Sequence, residues 1–275
     1  MRHQPPKYSI CITNYNTINS IEEALQRIVR QTNEDFEIIV VDNYSTDGSL
    51  AVLAEYSGSE EIRLILKHTT RGAGRQASLE HAAGKYVIHM DLDDLWRPVL
   101  GRLLRYYHDN WEGKALFAPG LVIAPRQLLV SAGGWRDLQR CEDVDMMFRL
   151  ERTEECVALP TNACVEREVK KWNWLLRLID GYKDHRDKLR VGIDSFEAQE
   201  IRDVVARYGF RGSFVYVLAA ITAKFSFRLW PLIRTHQGLS YRSLLRKIQL
   251  SEKELSRIET YLNTGDRVLS HTDKR

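Results

Sequence analysis

Residues 86–98, YVIHMDLDDLWRP, place Asp91, Asp93 and Asp94 within four positions, directly behind an apolar run. Carboxylates are depleted in strands, and crowded ones repel and raise one another's pKa unless a cation intervenes. A cluster like this suits a divalent metal, Mn2+ or Mg2+, and through it a diphosphate. A second acidic group, GGWRDLQRCEDVDMMFRLER over 133–152, sets Glu142, Asp143 and Asp145 at the head of a helix-period pattern, behind Gly133, Gly134 and Trp135. A carboxylate there could take a proton from an attacking hydroxyl.

These residues need a frame. YSICIT (8–13), FEIIVVD (36–42), IRLILK (62–67) and KYVIHMD (85–91) are short, nearly continuous apolar runs, as expected of parallel strands buried on both faces. Between them SIEEALQRIVRQ (20–31), STDGSLAVLAEYS (45–57) and RGAGRQASLEHAAG (71–84) suit crossover helices. The first half is therefore an α/β fold with a mostly parallel sheet. Ligands of such sheets bind outside the carboxyl ends of the strands. Those ends carry Thr13, Asn14, Tyr15 and Asn16 after the first strand, Asp42 after the second and the three aspartates after the fourth.

Each feature also has an ordinary explanation. Ser45 or Thr46 can cap the helix that follows Asp42, and Asp93 and Asp94 could cap one starting near Trp96 and Pro98. Glu142 and Asp143 would favour any helix N-terminus. Capping leaves Asp91 unexplained, because it stands in strand register with two more acids behind it.

Composition excludes little but sharpens the frame. The 275 residues fit one sizeable core plus an appended segment, and 44% hydrophobic residues can fill it. With 40 basic against 37 acidic side chains the net charge is +3, too balanced to point to nucleic acid. Cys11, Cys141, Cys156 and Cys164 show no paired or zinc-ligand spacing, and no apolar leader opens the chain, so reduced thiols and a cytoplasmic location are expected. The Asn43-Tyr44-Ser45 sequon is then accidental.

In order, ICITNYN, EIIVVDNYSTDGS, GRQASLEHAAGKYVIHMDLDD, GGWRD and CEDVDMMFRL resemble the family 2 glycosyltransferases of GT-A fold, over roughly residues 7–165. The resemblance implies a nucleotide-diphosphate-sugar donor, UDP-, GDP- or dTDP-linked, and a saccharide or lipid-linked acceptor. It assigns Thr13, Tyr15, Asn16, Asp42, Arg75 and Asp91 to the nucleotide sugar, and Asp93 to the metal. Asp143 becomes the catalytic base, with Trp135 as a platform for a sugar face and Glu142 toward the acceptor. One carboxylate base implies inversion at the anomeric carbon. Gln76 stands where the family commonly has asparagine, Asn43 replaces a common second aspartate, and no histidine directly follows the Glu-Asp helix; His185 is the next.

Two other classes fit less of the chain. A sugar-phosphate nucleotidyltransferase would want an N-terminal Gly-rich phosphate loop, and a non-catalytic nucleotide-sugar-binding protein would not need Asp91, Asp93 and Asp143 together. RGAGRQAS is a poor dinucleotide fingerprint because it follows the third strand. The resemblance divides the chain into a catalytic domain over 1–167 and a helical region over 168–275. In the latter, Trp172, Leu175, Leu176 and Ile179 form one stripe, and FVYVLAAITAKFSFRLWPLI (214–233) is interrupted by Lys224 and Arg228. These helices either pack on the catalytic domain or lie on an anionic membrane surface, peripheral on its inner face. Ser251 with Glu254 reads as a capping box for a last helix.

Overall fold

The computed structural model describes residues 5–166, 174–194, 214–225 and 239–264. Seven strands form the main sheet in the order β3-β2-β1-β4-β7-β6-β8. β1 (Tyr8–Asn14), β2 (Phe36–Asp42), β3 (Arg63–Leu66) and β4 (Tyr86–Met90) run parallel. β7 (Leu121–Pro125) is antiparallel to β4 and to β6 (Ala115–Ala118), and β6 is parallel to β8 (Cys156–Ala158). The sheet is thus mostly parallel, as the alternation of apolar runs and helix patterns requires.

Continuous apolar strands serve two cores. Ile10, Ile12, Ile88 and Met90 face one layer with α1 (Ile21–Val29), α2 (Ser49–Gly58) and α4 (Leu100–Trp111). Cys11, Ile39 and Val87 face the other, with α3 (Arg71–His81), α5 (Arg126–Ser131) and α6 (Glu142–Glu151). Side chains alternate between faces along a strand, so both sets must be apolar. β3 departs from this expectation: Arg63 and Leu66 are exposed, because the strand lies at the sheet edge and has a partner on one side only.

The connection into α2 also differs from the capping expected. The helix starts at Ser49 behind Gly48, whose φ of 102° is left-handed. Ser45 instead donates its hydroxyl to Asp42 Oδ2 (2.7 Å) and its N–H to Asp42 Oδ1 (2.7 Å). Thr70 does cap α3, accepting from Ala73 N.

No helix starts near Trp96. β5 (Leu95–Trp96) pairs antiparallel with β9 (Val165–Glu166), and α4 begins at Leu100. The Trp96 indole donates to the Asp91 carbonyl (2.9 Å) and the Ser20 hydroxyl to the Leu92 carbonyl (2.8 Å). Both contacts fix the backbone of the acidic loop.

Past residue 167, the described helices divide. α9 (Tyr241–Ile248) buries Leu244 and Ile248 in the α6 layer, and α10 (Glu252–Thr264) buries Ile258, Tyr261 and Leu262 beside α4. The Ser251–Glu254 capping box forms. Of the expected apolar stripe, Trp172 lies outside the described residues; Leu175 and Ile179, on α7 (Trp174–Val191), are exposed. Among the described residues no helix is long and apolar enough to cross a membrane.

Candidate active site

The acidic loop meets the expectation of a metal centre in its geometry: one ligand oxygen from each of Asp91, Asp93 and Asp94 lies within 4.8 Å of the others. Asp94 is buried, Asp91 half-buried and Asp93 exposed. Three hard oxygen donors at this spacing fit Mn2+ or Mg2+.

The first and second strand ends are locked together. Asp42 is fully buried, and its Oδ2 also accepts from Asn14 Nδ2 (2.8 Å). These bonds to Asn14 and Ser45 tie the ends of β1 and β2 together, with Asp42, the expected nucleobase acceptor, buried at their junction. Asn16 closes the latch, donating its N–H to Ser45 Oγ (2.9 Å) and accepting from Thr46 N (2.8 Å). Asn16 and Tyr44 both adopt left-handed backbone, φ 54° and 56°, which turns both loops outward. Tyr15 is exposed above them and Thr13 half-buried. A Cβ at Gly74 would stand 2.7 Å from Thr13 Cγ2, so α3 approaches the end of β1 closely.

The strand-four and α6 acids are joined through one buried cation. The Arg75 guanidinium is 3.5 Å from Asp91 Oδ1 and 3.3 Å from Glu142 Oε1, the latter an ionic contact without hydrogen-bond alignment. Its Cζ lies 5.1 Å from the Trp135 ring centre. Arg75 and Glu142 are 5% and 2% exposed, and their contact braces the two halves of the site. Trp135, 4% exposed and edge-on to His89, is the floor under Arg75 and not an open sugar platform. Gln76 Oε1 accepts from Trp135 N (2.8 Å), which gives the longer amide at that position a definite task.

Asp143 is half-buried, and its Oδ1 accepts from Val144 N (2.8 Å). Asp145, fully buried, takes Arg136 Nη1 on Oδ1 (2.7 Å) and Arg149 Nη2 on Oδ2 (2.9 Å). Of the two, only Asp143 is accessible. His185 is buried with its ring against Tyr216, away from solvent.

The sequence reading missed Arg71 and the Tyr44–His68 pair. Arg71 is 37% exposed, lies 3.9 Å from Glu142 Oε1 and feels the charges of Glu142, Asp91, Asp143 and Asp93. Burial opposes its charge, but those four carboxylates outweigh burial and raise its pKa. Its spacing of four from Arg75 on one helix was the available signal. Tyr44 and His68 meet as a tilted ring pair, centres 4.2 Å apart, at the exposed β2–β3 rim, and nothing in residue type announces it.

Burial pushes the Glu142 carboxyl up from 4.5 to about 7, with Arg75 opposing the shift and Asp143 adding to it. The native state therefore binds more protons than the unfolded chain between those two values. Stability from this group is fully present below about pH 4.5 and is lost as pH rises through 7, by about 3 kcal/mol. Denaturant melts from pH 5 to 8 should show wild type losing stability relative to Glu142→Gln; parallel curves would refute the assignment.

Residues 9–122 match the Glycosyl transferase family 2 description. The poly(ribitol-phosphate) beta-glucosyltransferase of Bacillus spizizenii is 37% identical over 117 residues, 40% of this chain and 18% of that protein. The UDP-Glc:alpha-D-GlcNAc-diphosphoundecaprenol beta-1,3-glucosyltransferase WfgD of Escherichia coli is 30% identical over 90 residues, 32% of this chain and 35% of that protein. The chain thus spans well under half the length of either relative. Among solved structures, the mannosyltransferase PcManGT from Pyrobaculum calidifontis, in complex with GDP-Man and Mn2+, superposes with TM-score 0.56 at 18% identity, over 94% of this chain and 86% of that one. At that identity the likeness speaks to fold.

Proposed function

We propose that the chain, whose residues 9–122 match the family 2 glycosyltransferase description, is an inverting, metal-dependent glycosyltransferase of GT-A fold that moves a hexosyl or N-acetylhexosaminyl group from a nucleotide-diphosphate sugar to a hydroxyl acceptor. The observation that carries this reading is Arg75, which ties the Asp91 end of a three-carboxylate cluster to the Glu142-Asp143 helix start through contacts of 3.5 and 3.3 Å. In this reading the acids that would meet the diphosphate and the carboxylate that would act as base are braced against one another.

Asp91, Asp93 and Asp94 would hold Mn2+ or Mg2+, which when bound neutralises charge developing on the leaving diphosphate. Arg71, partly exposed and in the field of both acidic groups, is placed to meet the same charge from the protein side. Asp143 takes the acceptor proton: Oδ1 is engaged by Val144 N–H, so the proton goes to Oδ2. Tyr15, Asn16, Thr13 and the Tyr44–His68 pair line the rim where a base and ribose would lie, over the latch built by Asp42. Trp135 and Glu142 act through Arg75. We take residues 1–167 as the catalytic unit, with α9 and α10 of the 168–275 region buttressing it. The acceptor, a saccharide or lipid-linked saccharide, would be met on the cytoplasmic side.

A panel of UDP-, GDP- and dTDP-sugars, incubated with an acceptor mixture and Mn2+, should release nucleoside diphosphate from one donor class. Release of pyrophosphate from a nucleoside triphosphate and sugar phosphate, with no diphosphate release, would overturn the reading in favour of a nucleotidyltransferase.

A further inference from the structure

The helix over 214–225, α8, is built inside out. Ala219, Ala220 and Ala223 are at most 1% exposed, while Phe214, Leu218, Ile221 and Phe225 are exposed by 69%, 37%, 43% and 84%. At about 100° per residue the four large side chains fall within an arc of roughly 60°, opposite the alanines. The alanine face is the one turned toward α7, where a Cβ at Gly181 would stand 3.2 Å from Ala219 Cβ and His185 meets the Tyr216 ring at 4.5 Å. Burial alone would dictate the reverse arrangement. A stripe of two phenylalanines, a leucine and an isoleucine left in water implies a second surface that covers it.

Charge identifies that surface. Residues 204–250 contain eight Lys and Arg and no Asp or Glu. Removing them from the chain's 40 basic residues leaves 32 against 37 acidic, so the segment around α8 carries +8 and the remainder −5. Lys224, on α8 itself, and Arg246, on α9, are exposed. A second copy of the chain seated on this stripe would set one Lys224 against another, with no acidic residue nearby in either sequence segment to answer the charge. A nucleic acid would answer the charge but not four large apolar side chains. An anionic bilayer answers both. The described part of the helix, 12 residues, is about 18 Å long against an apolar core of about 30 Å, and among the described residues no helix is long and apolar enough to cross a membrane, so we place it in the interface.

We propose that the Phe214–Leu218–Ile221–Phe225 face of α8 docks the protein on an anionic lipid surface. The catalytic consequence, an acceptor met at the bilayer, rests on the glycosyltransferase reading; docking itself needs neither donor nor metal, so the two can fail separately.

The full chain, without nucleotide or added metal, should sediment with phosphatidylglycerol–phosphatidylcholine vesicles at low ionic strength. Sedimentation should be weak with phosphatidylcholine alone and should fall in about 1 M salt, where screening shortens to about 3 Å. Phe214→Ser with Phe225→Ser should cut the bound fraction at least about tenfold with an unchanged melting temperature, since both rings are already in water. In a second measurement, Phe225→Trp should gain emission that brominated anionic lipids quench. Equal sedimentation of wild type and the double variant would overturn the proposal. So would the absence of vesicle binding together with a concentration-dependent dimer that the double variant abolishes.

Discussion

Asp143→Asn is expected to lower kcat by about a hundredfold to ten-thousandfold while donor affinity stays within error. The amide keeps the size of the side chain and can still accept from Val144 N–H, but it cannot take a proton from an acceptor hydroxyl. Single-turnover transfer and donor titration on the same preparation separate the two quantities. Near wild-type turnover would remove Asp143 from the mechanism.

Asp145 is the control that gives this experiment its meaning. It lies two residues on in the same acidic run, yet it is fully buried between Arg136 and Arg149. Asp145→Asn leaves two guanidinium groups short of their counter-charge and should cost about 3–5 kcal/mol of stability. The signature is a lowered melting temperature without the selective loss of the chemical step. A fall in kcat from Asp145→Asn with unchanged melting would shift the base assignment to it.

How far the sequence alone carries can be judged from these two aspartates. Spacing placed Glu142, Asp143 and Asp145 together at the head of one helix, and the helix is there. Helical period also separates their faces and sets Arg149 one turn beyond Asp145, but the second guanidinium, Arg136, is brought in by the loop before α6. The same holds at the rim. The parallel strands and their polar ends were legible because a strand buried on both faces must be apolar throughout, so a carboxylate or amide at its end stands out. Asp42, Arg75, Glu142 and Trp135 were legible as unusual, but not as buried. Each is covered by a partner distant in the chain: Asn14 over Asp42, and Arg75 between Asp91, Glu142 and Trp135. The α2 cap failed for a related reason, since Ser45 had a buried carboxylate to satisfy and Gly48 was free to turn left-handed.

The other large effect is expected at Asp93. Of the three clustered aspartates, Asp91 shares its charge with Arg75 and Asp94 is buried, so Asp93 is the one whose carboxylate meets solvent and an incoming diphosphate. Alanine there should leave the fold intact, because an exposed side chain contributes little to the core. It should nonetheless weaken donor binding in Mn2+ by about a hundredfold to a thousandfold, the equivalent of several kcal/mol of lost charge neutralisation. The cluster itself provides a readout that needs no turnover. A cation bound to the native state alone raises its apparent stability, so Mn2+ should raise the wild-type melting temperature, and chelator should reverse it. Asp93→Ala should show little response to either. Tight donor binding in excess chelator, unchanged by the substitution, would mean that Arg71 and the backbone at the rim bind the diphosphate unaided, and that the three aspartates serve some other end.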